Sequence, residues 1–222
     1  MSLRSPLQNP LRSVLRSPLA PRVTGAAGAL TPIAGMAIWL RKGTASGASW
    51  PDASGNARNM TLVGSPTIGA STVTFNGTTQ YGTIAASGLT GTVSIYLRFK
   101  QVAWAASARV VSSSLPRLIQ SASSPNIALI DSDATPYATN GNAEERDFAS
   151  LGFAQSGGTS VININGTETA DDAAGDSWAT FALAASSAGA SPSNIEVVEV
   201  VLYNVAHSPE ERTQMIAYLA AL

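Results

Sequence analysis

The chain has 222 residues, of which 45% are apolar and only 12% charged, about half the roughly 25% charged share of globular domains. It is long enough to bury a sizeable core, and such a composition excludes a disordered, charge-rich tail protein. A net charge of −1, no cysteine and a single histidine argue against a nucleic-acid groove, a disulfide scaffold, thiol catalysis, a zinc finger and a Ser-His-Asp triad.

The first segment stands apart. Residues 1–22 hold Arg4, Arg12, Arg16 and Arg22 and no acid, leaving 9 basic against 14 acidic residues, or −5, for the remainder. Leu3, Leu7, Leu11, Leu15 and Leu19 recur every fourth residue. Pro6, Pro10 and Pro18 oppose a helix, at about 3 kcal/mol each in a helix interior, and push their predecessors into extended geometry. An extended chain also places residues i and i+4 on one side. Residues 1–32 therefore read as an extended strap whose leucines and arginines dock on another subunit; a floppy terminus is the alternative. The prolines likewise exclude the amphipathic helix of a mitochondrial transit peptide. Gly28–Leu40 contains Pro32 behind a long leader, so secretion by that route is not expected. No run reaches the ~18 apolar residues of a membrane span, and neither membrane insertion nor nucleic-acid binding is expected.

From Met36 onward, β-branched segments alternate with Gly, Ser, Asn and Pro clusters, an all-β pattern. Strands are expected at Ala37–Arg41 and at Val73–Phe75, the latter ending in an Asn76-Gly77 turn. In Val93–Lys100, Val93, Ile95, Leu97 and Phe99 face one way and Ser94, Tyr96, Arg98 and Lys100 the other, as in a half-buried antiparallel strand. Arg109–Ser113 and Ile127–Asp131 follow, then Val161–Asn165 with a tight turn at Asn165-Gly166. Asn194–Tyr203 is apolar on both faces over Val197–Leu202, as a strand covered on both sides would be. Ser208-Pro209-Glu210-Glu211 supplies an N-cap, a first-turn proline and a capping-box glutamate, and Met215, Ile216, Leu219 and Leu222 form a helical stripe.

The pieces have a recognisable order. Ala37–Leu40, then Trp50-Pro51-Asp52-Ala53-Ser54-Gly55-Asn56 and Met60–Leu62, are similar to the opening strand, loop and next strand of the laminin-G-like, concanavalin A-like jelly-roll superfamily. Val73-Thr74-Phe75-Asn76-Gly77 with Gln80-Tyr81 resembles one of its hairpins, and Val161–Gly166 another. Glu199–Tyr203, Asn204 and Ser208–Glu211 resemble its last long strand and closing helix. The resemblance implies an antiparallel two-sheet jelly-roll sandwich over residues 33–222, with an extended N-terminal arm and a short C-terminal helix. A lectin-like sandwich behind a Leu/Pro/Arg strap also resembles bacteriophage virion proteins that display such domains. It implies a non-enzymatic virion structural protein, decorating the capsid or associated with the tail. Its arm would bind other virion proteins through Leu3, Arg4, Leu7, Leu11, Arg12, Leu15, Arg16 and Leu19. A closed homo-oligomer is the default for such assemblies, and the resemblance favours a trimer. The alternative is a glycan-binding adhesin recognising host-surface carbohydrate.

Catalytic chemistry is thinly supplied. Glycosidases of the superfamily carry paired carboxylates on one strand, and a retaining mechanism needs them about 5–5.5 Å apart. Glu196 and Glu199 are three apart and would point to opposite faces of a regular strand; Glu144, Glu145 and Asp147 beside Arg146 read as a solvated loop. No cofactor is expected beyond a candidate Ca2+, for which Asp131 and Asp133, with Asn126 and Asn140 nearby, offer oxygen ligands. Asp171, Asp172 and Asp176 form a second such set. Trp104, Tyr137 and Trp178 fall in expected loops and are the candidate carbohydrate-stacking aromatics. Trp39 and Trp50 read as core or sheet-edge residues, and His207 as a loop residue.

Overall fold

The structure, a computed structural model, describes residues 30–113, 117–130, 136–143, 146–156, 158–171 and 177–222, without the side chains of 136–138 and 171. The strands run in chain order as β1 (Ile38–Leu40), β2 (Ser49–Trp50), β3 (Met60–Val63), β4 (Thr67–Ile68), β5 (Val73–Asn76), β6 (Tyr81–Ile84), β7 (Val93–Ala103) and β8 (Arg109–Ser112). They continue as β9 (Arg117–Gln120), β10 (Ile127–Ile130), β11 (Pro136–Asn140), β12 (Phe148–Ser156), β13 (Thr159–Ile164), β14 (Thr167–Asp171), β15 (Phe181–Leu183) and β16 (Asn194–Tyr203), followed by helix α1 (Pro209–Ala220). The first sheet has the order β14-β13-β12-β7-β16-β5-β4, with β1 also paired to β16. The second has the order β11-β10-β9-β8-β15-β6-β3-β2. The pairings described are antiparallel. This is an all-β, jelly-roll-like sandwich.

Period-2 patterning explains the core. Val93, Ile95, Leu97 and Phe99 of β7 meet Leu118 of β9 and Ile127 and Leu129 of β10 between the sheets. On the outer side of β7, Tyr96 is buried while Arg98 and Lys100 are half-buried, because α1 covers only part of that face. The helix packs across β7, β12 and β13, joining Met215, Tyr218 and Leu219 to Tyr96, Val201 and Tyr203 in a second apolar cluster. Gly152 of β12 makes this approach possible: a Cβ there would lie 2.9 Å from the Tyr96 ring. The capping box forms as expected, with Ser208 Oγ accepting from the Glu211 N–H and Glu211 Oε2 accepting from the Ser208 N–H.

Two expectations change. Asn76-Gly77 does not close a hairpin: β5 belongs to the first sheet and β6 to the second, so the turn is an arch between layers. Asn76 Oδ1 organises it by accepting from the N–H groups of Thr78, Thr79 and Gln80. In β16, Val197 stands opposite Phe99 and Glu199 opposite Arg98, so Val198 is an extra residue. This bulge shifts the side-chain phase by one. Ile195, Val197, Val200 and Leu202 enter the core, whereas Glu196 and Glu199 both face outward rather than to opposite sides. Asn165-Gly166, by contrast, makes the expected tight turn, with φ of +52° and +90°.

Candidate functional site

Of the sequence-derived candidates, the arm residues Leu3 to Leu19 and the cation candidates Asp131 and Asp133 lie outside the described residues. Asn140, offered as a neighbouring ligand, is buried, and its amide donates to the Thr167 carbonyl at 2.8 Å. Among the described residues no cluster of three acidic, His or Cys side chains could hold a metal ion. Tyr137 lies in strand β11 rather than in a loop. Trp178 is fully buried: its indole packs 5.6 Å from the Phe153 ring and donates to Gln155 at 3.1 Å. It therefore presents no face to a sugar, correcting the expectation drawn from its flanking small residues. Trp104 is half-buried at one end of the core, with its N–H donating to the Ser121 carbonyl.

The outer face of the first sheet contains a depression of about 380 Å³ beside Leu30, Trp39, Lys42 and Glu199. Glu199 is only 1% exposed. Its carboxylate accepts from Trp39 Nε1 at 2.7 Å, from the Lys42 N–H at 3.0 Å and from the Tyr218 hydroxyl. Three donors on three segments make this acid a structural joint.

A second buried polar group lies under the helix N-terminus. His207, expected in an ordinary loop, is 4% exposed and shares a 2.9 Å hydrogen bond with the Tyr96 hydroxyl. Its pKa is lowered below 6.5, first by burial and then by the charge of Arg212, against the opposing pull of Glu211. The unfolded chain therefore takes up this proton before the folded one does. Stability is expected to fall as pH drops below about 6.5 and through the lower folded value of His207. Urea midpoints at pH 7.5, 6.5 and 5.5 should decline for the wild type and flatten for His207→Gln.

The second sheet offers a different surface. None of the packing of α1 described falls on it, and its outer face carries Arg109, Arg117, Ile119 and Ile130 around a depression of about 210 Å³. Arg109 stands opposite Ile119, and Arg117 opposite both Ser112 and Ile130. The two arginines are thus diagonal across β8 and β9, roughly 7–8 Å apart at the backbone. Ser191 and Ser107 complete the rim, both with left-handed backbones, φ +53° and +66°. The Arg109 N–H donates to the Ser191 carbonyl at 2.9 Å, and the Arg109 carbonyl accepts from Ser193 Oγ at 2.7 Å. Arg109 is therefore held on a rigid element.

Among the described residues no carboxylate pairs with either arginine. The ion pairs found among the described residues join Lys100 to Glu196 and Arg212 to Glu168, and neither involves Arg109 or Arg117. Burial, and then the positive charge of Arg117, lower the pKa of the Arg109 guanidinium. Sequence patterning did not single out this pair, whose signal was two arginines at the ends of short apolar strands eight residues apart.

These features define a two-sheet β-sandwich with one face partly covered by a helix and a basic depression on the other. No protein-family model and no curated protein matches the sequence. Among solved structures, it is similar to Trypanosoma rangeli sialidase in complex with 2-keto-3-deoxy-D-glycero-D-galacto-2,3-difluoro-nononic acid (TM-score 0.71, 14% identity, 92% of this chain and 36% of that one). It is also similar to Trypanosoma rangeli sialidase in complex with sialic acid (TM-score 0.69, 15% identity, 85% and 33%). The binding domain of botulinum neurotoxin serotype D matches with TM-score 0.64 and 10% identity over 84% of this chain and 52% of that one. The chain thus spans about a third of the sialidases and about half of the neurotoxin domain, and at such identities the likeness is one of fold.

Proposed function

We propose that this chain is a non-enzymatic recognition module that presents the outer face of its second sheet to carbohydrate. The observation that carries this reading is the open depression between Arg109 and Arg117, on the sheet face that α1 does not cover. The similar solved structures include a sialidase with a bound sugar acid and a neurotoxin binding domain, which adds support from the fold. The outward acids of β16 serve structure: Glu196 pairs with Lys100, and Glu199 is saturated by its three donors. Full-length protein on a glycan array should bind a reproducible subset of glycans and release no product from them. Absence of any glycan binding would refute the reading, and so would turnover.

The setting we propose is a virion, with residues 1–32 as the anchor. The spacing of Leu3, Leu7, Leu11, Leu15 and Leu19 supports docking on a neighbouring subunit. The body has its own contacts where it begins, since the Ile33 carbonyl accepts from the Tyr203 hydroxyl at 2.8 Å. Deleting residues 2–22 should leave the melting temperature unchanged and abolish incorporation into the particle. Normal incorporation of the truncated protein would defeat the anchoring role.

A further inference from the structure

Resting on that recognition reading, we infer that the depression between β8 and β9 is selective for an acidic sugar, its carboxylate held by Arg109 and Arg117 together. Arginine presents a planar fork of donors that matches a carboxylate, and such charge-assisted bonds are roughly twice as strong as neutral ones. The two guanidiniums stand on diagonal positions and have no carboxylate partner among the described residues. The charge of Arg117 acts against that of Arg109, so an anion between them would relieve that repulsion. The rim serines offer hydroxyls to a polyol, whereas Ile119 and Ile130, which also line the depression, are buried and present little apolar surface. At about 210 Å³ the depression is smaller than the roughly 300–1,000 Å³ of drug-sized ligand sites, a size suited to one ring rather than an extended chain.

A purely structural role is the competing account. The aliphatic stems of both arginines could simply shield Ile119 and Ile130, which are 6% and 7% exposed, as long basic side chains do over apolar surface. Methionine separates the two accounts because it keeps the stem and removes the fork.

The test is titration of full-length wild type, Arg109→Met and Arg117→Met with three probes. They are a sialic acid-terminated trisaccharide, a glucuronate-containing disaccharide and the neutral asialo counterpart of the first, each followed by ligand-observed NMR. Inorganic sulfate forms a fourth arm. Wild type should bind at least one acidic glycan about tenfold or more tightly than the neutral one, and each Met variant should lose about tenfold or more in that affinity while keeping the wild-type urea midpoint. Equal binding of neutral and acidic glycans, or acidic-glycan binding that survives both substitutions, would overturn this inference and leave the recognition reading standing. Sulfate competing as well as the acidic glycan would reduce the site to a generic anion site and overturn it too. Binding of no glycan at all would remove the recognition reading along with it.

Discussion

Glu199→Ala is expected to cost about 3–5 kcal/mol of folding stability. The carboxylate gathers Trp39 Nε1, the Lys42 N–H and the Tyr218 hydroxyl, thereby tying β1, the loop after it and α1 to β16. Removing it leaves three donors short of an acceptor, each at about 1–3 kcal/mol where water cannot replace it. The adjoining depression admits some water, which keeps the total below the simple sum. Glu199→Gln should lose less, because its amide carbonyl can still accept while its NH2 opposes a donor. The measurement is the denaturant midpoint at unchanged slope. A loss under about 1 kcal/mol for the alanine variant would show that solvent satisfies the three donors and that the acid is not a joint.

Arg212→Ala should follow at about 2–4 kcal/mol, somewhat below the cost of breaking a fully buried pair. Arg212 is 8% exposed and forms a bidentate pair with Glu168, Nε to Oε1 at 2.7 Å and Nη2 to Oε2 at 2.8 Å. Its third nitrogen, Nη1, donates to the His207 carbonyl at 2.9 Å. One side chain thus fastens the first turns of α1 to β14 and to the preceding loop, and its loss leaves the partly buried Glu168 carboxylate with the Asn163 amide at 2.9 Å in place of a fork of charge. Arg212→Lys should recover only part of this, since an ammonium cannot reproduce the planar fork. The pair also predicts an acid limb. Hydrogen bonding from Arg212 holds the Glu168 pKa below 4.5 despite burial. This stabilisation is present above the unfolded value and lost as pH falls through the lower folded value. Arg212→Ala should therefore be less stable at pH 7 and lose less additional stability below pH 4.5. An unchanged acid limb would show that Glu168 gains nothing from the pair.

Local chemistry makes several features legible from neighbouring residues alone. Asn165-Gly166 could hardly be other than a tight turn, and Ser208-Pro209-Glu210-Glu211 carries its own cap, so both depend only on residues close in the chain. The alternation in Val93–Lys100 marks the core face of β7 for the same reason. Strand β12 carries no such mark because Phe148–Ser156 includes Gly152 and small residues on a face that α1 covers, which erases the polar half of the alternation. Trp178 misleads because small flanking residues mark loops without saying which way a loop's side chains turn.

Composition, periodicity and short-range capping were enough for the all-β class, the closing helix and the separation of a basic, leucine-spaced leader from an acidic body. Which groups meet is a matter of the folded chain. The extra residue at Val198 turned Glu199 out of the core and toward Trp39 and Tyr218, and the arch at Asn76-Gly77 carried the chain from one sheet to the other. The pairing of β8 with β9 brought Arg109 beside Arg117. One cause underlies all three: strand register is a long-range property, and a shift of one residue moves every following side chain to the opposite face.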